Sequence, residues 1–256
     1  NYIRDIEYTY ILPSYLKMDV KVYNCDARPI DTVIKNNNNE ESEDPTLDEN
    51  AKRYTYISLH DVPALQEGYL MESTRYAPRI EYTIAYNLSK GKSRITSINQ
   101  YVSDIDNVME DLDKADIKTA QKIAKKIIIT KGMSELEKIQ TIENYVRSKY
   151  MLFGYGNIRT ISLMDQYGFG SELAFLQLFN QLFKAYDIDN RVVWTTDNQD
   201  KLFDPTFEGR NFFKEILFYF PGIDQYMAVS YTNSRVGLPP FFLTNNQGIL
   251  LEKFSA

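Results

Sequence analysis

The sequence predicts an α+β protein whose first half is antiparallel β structure and whose second half packs helices on an antiparallel sheet. Segments up to about residue 102 alternate polar residues with apolar or aromatic ones, which is the period of a half-buried strand. From about residue 104 the apolar period becomes helical, and short strands follow near the end of the chain. We place the first domain at residues 1–110 and the second at residues 111–256.

Five segments of the first domain have the composition of strands. They are rich in Tyr, Ile, Thr and Val, and they read IEYTYIL, YLKMDVKVY, RYTYISL, RIEYTIAYNL and RITSINQYV. The run at 36–50, NNNNEESEDPTLDEN, is acidic and almost free of large apolar residues, so burial cannot repay the entropy of ordering it. We therefore expect an exposed, mobile loop there.

The second domain is expected to begin with two amphipathic helices. They cover residues 113–129 and the segment SELEKIQTIENYVRSKY, where Ser134 and Glu137 form a capping-box pattern and the lysines and Arg147 form a solvated face. The connection YMLFGYGNIRTISLMDQYGFG favours turns over a long helix. The predicted buried positions are Ile117, Ala120, Ile123, Ala124 and Ile127 in the first helix, and Leu136, Ile139, Ile142, Val146 and Tyr150 in the second.

The rest of the second domain contains one apolar helix and several strands. The segment LAFLQLFNQLFKAY is apolar nearly all round, which predicts a central, buried helix. The strands RVVWTT, EILFYF and QYMAVS follow, and the turn PGID joins the last two as a hairpin. A sheet covered by helices that precede it in the chain is typical of an α+β domain.

Composition limits the chemistry and the partners of the chain. The 256 residues are 43% hydrophobic, enough for sizeable cores, and the net charge of −6 without a basic stripe argues against a nucleic-acid partner. Because Cys25 is the single cysteine, the chain cannot form an intrachain disulfide. Because His60 is the single histidine, most acid-base and metal sites that use histidine are excluded. We find no cofactor-binding or metal-binding motif, no signal peptide and no transmembrane segment, and we expect a trimmed, soluble fragment.

The order of motifs in the second domain points to a known family. Gly170 precedes the buried helix, and the run DIDNRVV at 187–193 closes it and leads into a strand. With the capped helix before it, this arrangement resembles the transglutaminase-like superfamily, which shares its core with papain-type cysteine proteases. Where that family usually has glycine, this chain has Asp187.

Two segments of the first domain extend the resemblance to nearly the whole chain. They are IEYTYIL and HDVPALQEGYLMESTRYAPRIEYTI at 60–84. Both are similar to a β-sandwich domain of unknown function that precedes a transglutaminase-like domain in bacterial two-domain proteins. The resemblance implies a partial antiparallel β-sandwich followed by a transglutaminase-like domain. It also implies a protein of the periplasm or cell surface.

The resemblance implies positions for a Cys-His-Asp triad, and each position holds another residue. The nucleophile position falls on Ser171 or Glu172, depending on a one-residue register, the histidine position on Lys214, and the acid position on Val229. The family's chemistry needs a thiolate, an imidazole and an orienting carboxylate. We therefore interpret the chain as a non-catalytic pseudoenzyme that binds or assembles with a peptide, protein or glycan. The alternative is an acyl-transfer hydrolase or amidase that pairs Ser171 with Lys214, which requires a desolvated lysine.

Other candidate residues have structural interpretations that we favour over functional ones. Cys25 is expected to be a small buried or half-buried residue, and His60 a surface or turn histidine with a local hydrogen bond. Active transglutaminases end a catalytic strand with Asp-Pro-Thr, but here Asp204-Pro205-Thr206 precedes Lys214, so we interpret it as a turn.

The glycine-rich start of the buried helix also has a structural interpretation. Gly168, Gly170 and Ser171 lack the rest of a phosphate-binding loop, so Ser171 is expected to cap the helix and Glu172 to stabilise its first turn. The 20 tyrosines and 14 phenylalanines could line a sugar or peptide groove, but most are expected to be structural, as in other β-rich domains.

Overall fold

The computed structural model describes residues 3–34, 51–62, 73–91, 93–153 and 158–251, and it confirms the α+β class. The acidic run at 36–50 lies outside the described residues. The chain divides into two compact units, residues 1–101 with 199–212, and residues 102–198 with 213–256. Compared with the boundary placed at residue 110, residues 102–110 join the second unit. The segment 199–212 joins the first unit because its side chains pack on strands there.

The described strands of the first unit form two antiparallel sheets. The strands are β1 (Ile3–Pro13), β2 (Leu16–Tyr23), β3 (Ile30–Ile34), β4 (Lys52–Val62) and β5 (Arg79–Asn87), and a short helix, α1 (Ser73–Tyr76), precedes β5. One sheet has the order β1-β4-β3, and the other pairs β2 with β5. In β4 every second side chain from Arg53 to Leu59 is buried. The alternation of residue types that predicts the strand therefore also shows which of its faces is buried.

The strand predicted from RITSINQYV is wrong. After one isolated bridge at Arg94, the chain enters a helix, α2 (Ile98–Glu110). The Ser97 hydroxyl caps this helix by accepting a hydrogen bond from the backbone N–H of Gln100 at 3.1 Å. The helix buries residues at a spacing of four, which outweighs the strand propensity of Ile and Thr; the buried residues are Tyr101, Ile105 and Met109.

The second unit packs helices on a four-stranded antiparallel sheet. Its helices after α2 are α3 (Lys114–Ala124), α4 (Glu135–Lys149), α5 (Ile161–Tyr167) and α6 (Glu172–Ala185). Its sheet has the order β10-β9-β8-β11, formed by β8 (Arg191–Thr195), β9 (Glu215–Phe220), β10 (Gln225–Ala228) and β11 (Gly248–Leu251). A short parallel pair, β6 (Met151–Leu152) and β7 (Phe169–Gly170), lies on either side of α5. The predicted hairpin of β9 and β10 is present, and β11 has no counterpart among the predicted strands.

Helix α6 is the centre of the core, as its sequence predicts. Phe183 is fully buried, and its ring meets Phe218 and Phe220 of β9 edge-to-face at 5.5 and 5.0 Å. The Ser134–Glu137 capping box that opens α4 is also present. Burial of this aromatic cluster anchors the C-terminal part of α6 on β9.

The amphipathic helices differ from prediction at three positions. Ile117 and Leu136, predicted to be buried, are 38% and 36% exposed. Arg147, assigned to a solvated face, has only 7% of its side chain exposed and donates to Glu143 at 2.9 Å. Glu143 itself accepts a hydrogen bond from the backbone N–H of Val236 at 3.0 Å. The charge of Arg147 predicts an exposed side chain, but in the folded unit the side chain is buried together with Glu143, a partner of opposite charge.

Asp187 adopts the conformation that favours glycine. Its φ is 53°, in the left-handed region, directly after the end of α6. A residue in this conformation commonly ends a helix, and Asp and Asn tolerate it better than most residues other than glycine. The left-handed conformation thus explains why the resemblance leads one to expect glycine at this position. No helix in the described part of the chain is both long and apolar enough to cross a membrane.

Candidate functional site

The candidate site forms where α6 begins. Gly168 ends α5 with a φ of 79°, and Gly170 lies so close to α5 that a Cβ would be 2.7 Å from the sulfur of Met164. Ser171 is the N-cap of α6, as predicted, because its hydroxyl accepts the backbone N–H of Ala174 at 3.4 Å. The two glycines and this cap set the position of Glu172 in the first turn.

Glu172 faces the segment that follows β10. Its carboxylate accepts a hydrogen bond from the hydroxyl of Ser230. A carboxylate in the first turn also interacts favourably with the helix dipole. Of the two residues predicted for the nucleophile position, Ser171 therefore caps the helix by a hydrogen bond to its backbone. Glu172 connects α6 to the end of β10 by a side-chain hydrogen bond.

The predicted histidine position lies at the start of β9. Lys214 is exposed, and its backbone N–H donates to the carbonyl of Thr195 at 3.1 Å. The next residue, Glu215, accepts a hydrogen bond from the hydroxyl of Tyr231 at 2.7 Å. Alternation along β9 thus turns Glu215 toward the segment after β10 and leaves the lysine at the surface.

The pKa of Glu215 is raised above its ordinary value. Burial is the largest cause, and the negative charges of Glu172 and Asp197 add to it, against the opposing effects of Tyr231 and Lys214. The pKa of Tyr231 is raised as well, by burial first and then by its hydrogen bond to Glu215. The site is therefore a cluster of carboxyl and hydroxyl groups in which the carboxylates repel one another.

The predicted acid position holds an apolar core residue. Val229 is fully buried in the core around α6. The following two residues, Ser230 and Tyr231, carry the hydroxyls that bind Glu172 and Glu215. Sequence reasoning missed Ser230, Tyr231 and Glu215. Each lies one or two residues from a predicted position. Allowing a shift of one or two residues at these strand ends would therefore have included them.

The lone cysteine and histidine belong to the first unit. Cys25 is half-buried and is not in a disulfide. His60 lies on β4, with 67% of its side chain exposed and its Nδ1 2.8 Å from Asp5 of β1. The exposure agrees with the prediction of a surface histidine, but the hydrogen-bond partner is on the neighbouring strand, 55 residues away in sequence, and is not the local partner that was expected. The four predicted triad positions are all in the second unit, which by sequence has neither a thiol nor an imidazole.

Asp204-Pro205-Thr206 forms a turn, as predicted, and also anchors a strand. One Asp204 oxygen accepts the backbone N–H of Thr206 at 2.8 Å, and the other accepts Lys21 and Tyr23 of β2 at 2.5 Å each. Burial alone would raise the pKa of Asp204. The hydrogen bonds from Lys21, Tyr23 and Thr206 outweigh burial, so this pKa lies well below its usual range.

A hollow begins at the same hydroxyl residues. It has a volume of about 540 Å³ and is lined by residues 230–234 and 238–242. Phe241 and Leu238 on its wall are 67% and 72% exposed. Its size is typical of ligand-binding pockets, roughly 300–1,000 Å³. Among the described residues, no group of three or more His, Cys, Asp and Glu side chains is arranged to hold a metal ion.

Comparison with known proteins supports the fold alone. No protein-family model and no curated protein matches the chain. A solved structure of similar fold is that of a protein from Parabacteroides distasonis described as a "putative protease". The match has a TM-score of 0.57 and 14% identity, and it covers 93% of this chain and 45% of the other. This chain thus spans less than half the length of that protein.

Proposed function

We propose that this chain is a non-catalytic, transglutaminase-like protein that binds a ligand at the position of the family's active site. The observation that carries the proposal is that Glu172 and Glu215 are each hydrogen-bonded to a hydroxyl, on Ser230 and Tyr231. A thiol-imidazole mechanism needs groups that the second unit lacks by sequence. The fold similarity to a protein described as a protease is consistent with a proteolytic ancestor.

A binding role is supported by the hollow beside these groups. Its wall combines the exposed ring of Phe241 with the hydroxyls of Ser230 and Tyr231. An apolar surface with a few placed polar groups is typical of binding sites. We propose a peptide, protein or glycan as the ligand. We place the protein outside the cytoplasm, as the family resemblance implies.

The alternative, acyl transfer by Ser171 and Lys214, is less well supported. A lysine that acts as a base must lose much of its hydration, whereas Lys214 is exposed. The hydroxyl of Ser171 accepts a backbone N–H from its own helix. Neither observation favours a serine–lysine pair, and the second gives Ser171 a structural role.

The catalytic part of the proposal is tested with amide hydrolysis and with amine transfer to glutamine-containing peptides. We expect no turnover above buffer in the unaltered protein, nor in the variants Ser171→Ala, Lys214→Ala and Cys25→Ala. Turnover that Ser171→Ala or Lys214→Ala abolishes would establish the alternative. Turnover that only Cys25→Ala abolishes would overturn the non-catalytic assignment by a different route.

The binding part is tested with arrays of peptides and oligosaccharides. We expect any ligand of the hollow to bind at least about tenfold more weakly to Phe241→Ala, because an aromatic anchor contributes more than about 1.4 kcal/mol. Phe153→Ala is the matched control, since Phe153 is also exposed, at 50%, but does not line the hollow. Equal losses in both variants would contradict a site at the hollow.

A further inference from the structure

The sheet of the second unit has a second face that does not pack on α6. Side chains of one face, such as Val192, Phe218 and Leu251, enter the core around the helix. The alternate residues of all four strands line a hollow of about 520 Å³. The loop at 243–247 forms its rim. We call it the sheet-face pocket.

Two tyrosines form an aromatic platform in the sheet-face pocket. Tyr219 of β9 and Tyr226 of β10 are direct cross-strand partners, and their ring centroids are 4.9 Å apart. Tyr226 is 40% exposed, and the Tyr219 hydroxyl donates to Asp224 at 3.0 Å, which fixes its ring. Aromatic rings of this kind offer flat apolar faces to a ligand, at a low cost in conformational entropy.

The lining of the pocket is polar without being charged. None of the residues that line it is Asp, Glu, Lys, Arg or His, and its polar groups besides the tyrosines are amides and hydroxyls, on Thr195, Thr244, Asn245, Asn246 and Gln247. An ionic ligand would lose its hydration here without an opposite charge to replace it. Amide side chains both donate and accept, so they match the hydroxyl groups of a neutral ligand.

The rim is held in place before any ligand binds. Asn246 Nδ2 donates to the carbonyl of Thr196 at 2.9 Å, and Thr195 Oγ1 donates to the carbonyl of Gln247 at 2.5 Å. These contacts fix the side chain of Asn246 and the backbone of Gln247. The amides of Asn245 and Gln247, both exposed, are therefore presented on a rigid loop. A rigid rim lowers the entropic cost of binding.

The close approach of β11 to β8 on this side of the sheet requires glycine. A Cβ at Gly248 would lie 2.9 Å from Val193 Cγ1 and 2.9 Å from the carbonyl oxygen of Trp194. Any other residue would have to displace the floor of the pocket. The shape of the pocket thus depends on a specific residue of the sequence.

The position of the pocket distinguishes between classes of ligand. An extended peptide commonly binds by adding a strand to a sheet edge, where backbone groups are free. The pocket lies on a face instead, above strands β8 and β9 whose backbone groups pair within the sheet. A ligand here is therefore recognised by side chains alone, through aromatic faces and amide groups.

We propose that the sheet-face pocket binds a neutral oligosaccharide. A sugar ring stacks on Tyr226 and Tyr219, and its hydroxyls form hydrogen bonds with the amides of Asn245 and Gln247. Pro239 lines both hollows, but neither Glu172 nor Phe241 lines the sheet-face pocket. This site goes beyond the proposed function, and the two proposals fail independently.

The test is a titration of the ¹⁵N-labelled chain with maltotriose, cellotriose and chitotriose, followed by amide chemical shifts. We expect at least one of these sugars to shift the amides of residues 217–226 and 243–250. We expect Tyr226→Ala to weaken that binding at least tenfold, Asn245→Ala to weaken it severalfold, and Tyr226→Phe to retain it because the ring remains. Raising the salt concentration should leave the affinity unchanged, since no ion pair is involved.

Tyr82→Ala is the matched control. Tyr82 is 48% exposed and lies 4.9 Å from the ring of Tyr10, as Tyr226 does from Tyr219, but it is in the first unit and does not line the pocket. This variant should bind like the unaltered chain. The proposal is overturned if none of the three sugars shifts these amides. It is also overturned if Tyr226→Ala, with the rest of its spectrum unchanged, binds as before, or if a charged peptide shifts them instead.

Discussion

Two clusters of ionisable side chains, one in each unit, compensate their charges in opposite ways. In the first unit, Lys201 and Glu81 are both buried and form an ion pair of 2.6 Å. In the second unit, the carboxyl of Glu215 is matched by the hydroxyl of Tyr231, and the nearby charge of Glu172 is of the same sign. One cluster is balanced in charge, and the other is not.

The pKa shifts of Asp204 in the first unit and Glu215 in the second have opposite directions. Hydrogen bonds from Lys21 and Tyr23 outweigh burial at Asp204 and lower its pKa, whereas burial and neighbouring carboxylates raise the pKa of Glu215. A balanced cluster contributes to stability, whereas an unbalanced one costs stability at neutral pH. Such a cost is common at functional sites, which is why the carboxyl-hydroxyl cluster, and not the ion pairs, is our candidate site.

The largest effect is expected from breaking the balanced cluster. Lys201→Met removes one of the cations that pair with the buried carboxylate of Glu81, while Arg79 at 3.0 Å and Asn211 at 3.2 Å still contact it. We expect the free energy of unfolding to fall by about 3 kcal/mol, measured by urea denaturation followed by circular dichroism. The double variant Glu81→Leu with Lys201→Met should recover part of this loss, because it removes the buried carboxylate together with the lysine that pairs with it.

A surface ion pair provides the control for this variant. Lys184 and Glu110 are 2.5 Å apart, but 37% and 55% of their side chains are exposed. Lys184→Met should therefore cost less than about 1 kcal/mol. If Lys201→Met lowered the free energy of unfolding as little as Lys184→Met, burial would not determine how much an ion pair contributes to stability. The contrast between the clusters would then not hold.

An intermediate effect is expected at Asp204. Asp204→Asn removes the charge that accepts Lys21 and Tyr23, so we expect a loss of roughly 1.5–3 kcal/mol at pH 7. Since the folded-state pKa is lowered, the contribution of Asp204 is present above the unfolded-state pKa and is lost as pH falls through the folded-state value. The difference between variant and unaltered chain should thus shrink in acid. A difference that stays constant with pH would contradict the ionised role of Asp204.

The contrast also shows what the sequence alone can predict. Periodicity located α6, the β9–β10 hairpin and the capping box of Ser134, because those depend on local pattern and burial. It misassigned residues 94–102, where strand-forming residues carry a helical spacing that continues to Met109. Arg147 could not be placed either, because its burial depends on Glu143 and on a carbonyl 81 residues away.

The candidate site was located only approximately for the same reason. The order of motifs placed Glu172 and Lys214 at the correct element ends, where the site forms. Which of two adjacent residues faces the site depends on the pairing of β8, β9 and β10, and a shift of one residue exchanges Lys214 for Glu215. Pairing of strands distant in sequence is a property of the folded chain and is not encoded in any single segment.

The smallest effect, and the sharpest test of the comparison, is at Glu215. Glu215→Gln keeps an acceptor for Tyr231 but makes that hydrogen bond weaker by about 1 kcal/mol. It also removes a half-buried charge that Glu172 and Asp197 repel, and the raised pKa indicates that this second effect is the larger. We therefore expect the variant to be more stable than the unaltered chain at pH 8, by less than about 1 kcal/mol. Urea denaturation at several pH values measures the difference.

The sign of the pH dependence distinguishes this prediction from a general effect of the substitution. Because the folded-state pKa of Glu215 is raised, its cost to stability is absent below the unfolded-state pKa and appears as pH rises toward the folded-state value. The advantage of Glu215→Gln should therefore vanish near pH 4. Glu137→Gln is the control of opposite sign, since hydrogen bonds from Ser134 lower the pKa of Glu137. That variant should be less stable at pH 8 and should approach the unaltered chain in acid. Parallel pH profiles for the two variants would mean that folding favours the ionised form of Glu215 as it does that of Glu137, and that the carboxyl-hydroxyl cluster costs no stability.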